Sequence, residues 1–90
     1  MSCDKFADAV KRILKDFYVS RDYDKFIRFC YHTVRIKNPV IIAAFILIYF
    51  ENVPIIKKRF ASTYGISRVG LILELKSLRK KLLRYIRSKR

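Results

Sequence analysis

Ninety residues, 52% of them apolar and 14% aromatic, with a formal charge of +14, make a single domain with ample core material and a thin stability margin. Two glycines and one histidine leave no glycine-rich phosphate loop, no metal-ligand set and no nucleophile–base constellation, so neither an enzyme nor a cofactor is expected. The longest apolar run, residues 39–50, has twelve members, whereas a membrane span takes about 20.

The first element is expected over residues 4–18. Phe6, Val10, Ile13, Leu14 and Phe17 recur at helical spacing with Lys11, Arg12 and Lys15 between them. Asp4 and Asp8 suit its N-terminal end. The second is expected to open at Ser20 as N-cap and to carry Phe26, Ile27, Cys30 and Val34 on one side, with Asp22 and Asp24 favouring its N-terminus through the helix dipole. The third opens with Asn38-Pro39, a cap followed by proline at the first helical position, where its missing N–H costs nothing. Its β-branched content also suits a buried strand; the opening signal, the length and the Ala43-Ala44 pair favour helix.

The fourth element is expected from near Pro54 to just before Gly65, and the fifth from Ser67 to about residue 87. Between them, Ala61, Gly65, Ile66 and Ser67 form a helix-turn-helix skeleton. The alanine permits a close helix crossing, the glycine a left-handed turn, and the serine a cap for the next helix. In the fifth element Leu75, Leu78, Leu82, Tyr85 and Ile86 fall within about 60° of Leu71, and Lys76, Lys80, Arg84 and Arg87 lie opposite. Its first two turns are apolar nearly all round: Val69, Leu71, Ile72 and Leu73 are either wedged into the core or covered by a partner. The expected fold is all-α, a compact five-helix orthogonal bundle over residues 1–90. The third helix is central, the helix-turn-helix covers about 54–87, and a basic tail occupies 88–90.

Charge is uneven along the chain. Residues 1–50 hold nine Lys/Arg and five Asp; residues 51–90 hold twelve Lys/Arg and two Glu. That asymmetry points to an anionic partner: nucleic acid, an acidic protein or an anionic membrane face. Lys57, Lys58 and Arg59 precede the turn, on the element that would cross a phosphate backbone. Arg68 stands at the start of the following helix, as a groove contact or a plain exposed arginine. Lys76, Lys80, Arg84 and Arg87 supply a distal stripe long enough to follow phosphates, and Arg79 is a further candidate contact. Tyr18, Tyr23 and Tyr31 could stack on bases if exposed, but their spacing favours core packing. His32 reads as a lone polar residue. Cys3 and Cys30 fit no metal spacing and are expected as reduced thiols of a cytoplasmic protein. The absence of Gln and Trp, with much Ile, Lys and Arg, leans toward a thermophile.

Taken in order, these pieces resemble a single cyclin-like repeat, most closely the second repeat of archaeal transcription factor B and its eukaryotic counterpart. The resemblance rests on Pro39 with Ala43 and Ala44, then Phe60-Ala61, Gly65-Ile66-Ser67 and Leu75-Lys76-Ser77-Leu78, all without a gap. It covers residues 4–83 and implies a cyclin-like fold and a transcription-related DNA-binding role. Where the family places threonine and arginines against DNA, this chain has Gly70, Ile72 and Glu74, so bidentate base readout is not expected. The reading is a small basic protein that binds nucleic acid, double-stranded DNA foremost, mainly through phosphates. The alternative is a protein-interaction module or homodimer that uses the apolar start of the last helix. A third reading lays that helix on an anionic membrane.

Overall fold

Each helix of the computed structural model, which describes residues 1–88 and side chains as far as Arg84, is fixed by short-range signals at its ends. Among the described residues there is no strand; five α-helices, two of them extended by a π-helical turn, make the protein all-α.

Helix α1 (Cys3–Asp16) opens on Ser2, whose Oγ accepts the Lys5 N–H at 3.2 Å. It buries Phe6, Ala7, Val10, Ile13 and Leu14, the apolar stripe of its sequence. Helix α2 (Asp24–Phe29) runs on through the π turn Cys30–Val34. The expected start at Ser20 is corrected: the helix begins four residues later, with Tyr23 at its N-cap. Asp22 is responsible, because its Oδ1 takes the Asp24 N–H at 2.9 Å and holds the chain in a side-chain turn before the helix can begin. Ser20 is left exposed. Of the expected inner face of α2, Ile27 and Cys30 are buried, and Phe26 and Val34 only half-buried.

Helix α3 (Pro39–Phe45) continues as the π turn Ile46–Phe50. The Asn38 side chain accepts the Val40 N–H at 3.0 Å, with Pro39 in the first turn, so the capping signal operates as read and the strand alternative falls. Every residue from 40 to 47 is buried.

Close packing groups the chain in two units, Met1–Ile55 and the residues from Ile56 onward. In the first, α1 packs against α3 and α2. Lys11 and Arg28 both engage Asp24, at 2.7 and 2.9 Å, and Arg28 also reaches Asp4 at 2.8 Å. The Tyr23 hydroxyl donates to Glu51, joining the start of α2 to the end of the α3 turn. Phe26 meets Phe45 and Phe50 with ring centroids 6.0 and 5.0 Å apart.

In the second unit, α4 (Lys57–Thr63) packs against α5 (Arg68–Ser88). Helix α4 begins three residues beyond Pro54. Proline disfavours helical backbone at Val53, and Ile56 is itself extended, at φ −88° and ψ 108°. Phe60, Ala61, Leu71, Leu75 and Leu78 are buried, each large side chain contributing about 1.5–3 kcal/mol. No helix among the described residues is long and apolar enough to cross a membrane.

Candidate nucleic-acid interface

The site candidate is built on one bend. Helix α4 closes when Gly65 turns left-handed at φ 71°. The Ile66 N–H then reaches back to the Ala61 carbonyl at 2.9 Å, and the Gly65 N–H to that of Ser62 at 3.4 Å. Two residues on, Ser67 starts α5. Its carbonyl accepts the Leu71 N–H at 2.9 Å and its Oγ accepts the Gly70 N–H at 3.2 Å, the double role of an N-cap. The small Ala61 is buried. Helix, left-handed turn and capped helix thus follow one another at the expected residues.

From that cap α5 rises through 21 residues, about 31 Å at 1.5 Å per residue. Leu71, Leu75 and Leu78 form its buried line. On the opposite side Val69, Leu73, Lys76, Lys80 and Arg84 fall within about 40° of one another's mean direction, and all are exposed. The outward line is therefore apolar for two turns and cationic for the next three. Val69 and Leu73 are 59% and 61% exposed. This corrects the reading that wedged them into the core; Leu71 alone of the four is buried, and Ile72 is half-buried.

The cations do not all meet. Lys76, Lys80 and Arg84 share the outward line. Arg79 lies about 100° off it and has a partner. Arg68 is exposed in the first turn of α5, and Lys57, Lys58 and Arg59 are exposed in the first turn of α4. Being consecutive, those three fan around the helix rather than line one face. The Arg87 side chain and the tail residues Lys89 and Arg90 lie outside the described residues. Lys81, exposed beside Lys80, joins the group. Sequence reasoning passed over it because it sits off the stripe, and the eight basic residues from 76 to 90 were the signal for it.

The two units use their charges differently. In α1 and α2 an aspartate occupies the first turn (Asp4, Asp24) and a base the last (Lys15, Arg28), as the helix dipole favours. In α4 and α5 no acid stands in the first turn, while Lys57, Lys58, Arg59 and Arg68 do. Cations there oppose the dipole, at about 0.3–1 kcal/mol each. From residue 56 onward twelve Lys/Arg face Glu74 alone, a net of +11. Lys57, Lys58, Arg59, Arg68, Lys76, Lys80, Lys81 and Arg84 make no ion pair among the described residues. That concentration of positive charge attracts anions.

Other sequence candidates stand apart from this surface. His32 is exposed, edge-on to Tyr31 at 5.1 Å. Both thiols are free; Cys30 is fully buried, and burial pushes its thiol up to about 12. Tyr23 and Tyr31 are half-buried, whereas Tyr18 is almost wholly exposed. No group of three or more His, Cys, Asp or Glu among the described residues is placed to hold a metal. No family model, curated protein or solved structure matches this chain.

Proposed function

We propose that this protein binds nucleic acid, double-stranded DNA foremost, through the cations of residues 57–87, in a transcription-related role in the cytoplasm. The single observation that carries the reading is the cationic, acid-free first turn of α4 and of α5. Four cations stand at helix starts where they lower stability, with no acid to offset them. Their retention is accounted for by a polyanion that occupies the same ground. The bend at Gly65 and the Ser67 cap also support a helix-turn-helix use of α5.

Affinity then comes from phosphates rather than bases. Gly70, Ile72 and Glu74 offer no bidentate donor to a base edge. If about six phosphates are neutralised, binding falls on the order of a thousandfold between 50 and 200 mM salt. The test is fluorescence anisotropy of a labelled duplex across that salt range. A steep linear fall of log affinity with log salt is the expected result; no binding at low salt, or binding indifferent to salt, refutes the reading.

A second reading is favoured by one observation, the exposure of Val69 and Leu73. These apolar side chains, continuous with the cationic line, suit a protein partner or a second copy. Leu73→Lys separates the two. Loss of self-association or of a protein partner with duplex affinity kept or raised supports the interaction module.

A further inference from the structure

Four helix ends in this chain close through a left-handed residue: Tyr18 at φ 60°, Arg35 at 63°, Asn52 at 53° and Gly65 at 71°. Glycine and asparagine adopt that backbone readily, and a bulky side chain there is an outlier. Tyr18 and Gly65 serve the same turn. The Tyr18 N–H bonds the Lys15 carbonyl at 3.0 Å and the Val19 N–H that of Leu14 at 3.2 Å, the same pair of bonds that closes α4 at Gly65. One of these positions carries glycine and the other an aromatic ring.

The ring gives nothing back to the fold. Tyr18 is 95% exposed, and among the described residues it makes no side-chain hydrogen bond or ring contact. An unfavourable backbone and an apolar ring in water are kept together where glycine would relieve both. Strain of this kind, uncompensated by packing, is a mark of function.

The surroundings indicate what the ring meets. A cleft of about 150 Å³, which Tyr18 itself does not line, is bounded by Lys11, Leu14, Lys15, Val19, Arg21, Asp22 and Tyr23. Its volume equals about five waters at ~30 Å³ each, and Leu14 and Val19 make its wall largely apolar. Lys11 is engaged by Asp24 at 2.7 Å, and Asp22 accepts the Asp24 N–H. Lys15 makes no ion pair among the described residues. The ring has Lys15 and Arg21 close by in sequence, and its immediate neighbours Phe17 and Val19 are half-buried, so it stands apart from the broad exposed apolar surface that a protein partner or a lipid surface needs. It does match the pairing of one stacking face with nearby cations that holds single-stranded nucleic acid.

We propose that Tyr18 is a stacking platform for an unpaired nucleobase, with the exposed Lys15 and Arg21, close by in sequence, available to a neighbouring phosphate. The proposal rests on the nucleic-acid reading above and adds to it a separate contact, in the first unit, for unpaired bases. It is tested by anisotropy titrations of a single-stranded oligonucleotide and of the same sequence as a blunt duplex, at low salt, with the full chain and its Tyr18→Phe and Tyr18→Gly variants. Tyr18→Gly, which relieves the backbone and so keeps the fold, is expected to weaken single-strand binding about 5- to 100-fold, leave the duplex within about twofold, and raise the melting temperature. Tyr18→Phe is expected to stay within about twofold on both. Single-strand affinity unchanged in Tyr18→Gly overturns the proposal while salt-dependent duplex binding leaves the broader reading standing; binding to neither nucleic acid ends both. If Tyr18→Gly loses only co-sedimentation with phosphatidylserine vesicles, the ring belongs to a membrane contact and the proposal is likewise overturned.

Discussion

Alanine at the two glycines should move stability in opposite directions. At Gly65 a Cβ would meet nothing within 4 Å, so no clash contributes. The effect is conformational: φ is 71°, and left-handed backbone costs an L-residue about 1–2 kcal/mol. A less flexible unfolded chain returns about 0.4–1 kcal/mol of that, which leaves a net loss of about 1 kcal/mol. At Gly70 the added Cβ would lie 3.5 Å from the Ser67 Cβ and 3.8 Å from its Oγ, ordinary van der Waals contact. There the helix-propensity difference, up to about 1 kcal/mol, acts in alanine's favour. In a chain of this size 1 kcal/mol shifts the melting temperature by about 4–8 °C, so the two variants should bracket the wild type and differ by roughly 8–16 °C. Far-UV circular dichroism on heating, with urea titrations as a second measure, reads this directly. A neutral Gly65→Ala would mean that the chain does not turn left-handed before α5, and the bend that presents the basic helix would be lost with it. A destabilised Gly70→Ala would mean that the start of α5 is more tightly packed than the Ser67 contacts indicate.

Two further outcomes follow from the electrostatics of the first unit. The hydrogen bond from Lys11, then that from Arg28, holds the Asp24 carboxyl below its ordinary 3.8. A depressed carboxylate lends its stability in full above about pH 4, and the contribution fades as pH falls through the lowered value. Asp24→Asn should therefore melt lower at neutral pH and show a flatter acid limb in a Tm-against-pH series; parallel limbs would refute the pairing. Cys30 is fully buried, with its thiol pushed up to about 12, and Cys3 is half-buried. A disulfide reagent at mildly alkaline pH should modify a single thiol in the native chain and both in urea, and Cys3→Ser should abolish the native reaction.

What was legible in the sequence was what depends on a few adjacent residues. Asn38-Pro39 named the start of α3, and Gly65 with Ser67 named the bend and the cap. Ser20 misled because its capping capacity is local, and Asp22, two residues on, captured the Asp24 N–H instead. The π turns that finish α2 and α3 leave no trace in composition; they arise where packing needs one more residue in the turn. Val69 and Leu73 have the same apolar character as Leu71, so periodicity in an all-apolar stretch could not tell the outer line from the inner. Tyr18 was legible as an aromatic that could stack if exposed, but helical spacing pointed it to the core; the left-handed turn that puts it in solvent falls at a residue type not looked for there. Nothing in the order of letters separated Arg79, which has a partner, from Lys80 and Lys81, which have none among the described residues.

The cationic starts of α4 and α5 also tie folding to binding. Residues 1–55 carry nine bases against six acids, several of them paired, whereas the remainder carries twelve against one. A polyanion that prefers the folded form of this unit stabilises it by mass action, by about 1.4 kcal/mol for each tenfold rise in free polyanion above its dissociation constant. The second unit would then be sturdiest when occupied, and its hydrogen-exchange protection would report how saturated the molecule is.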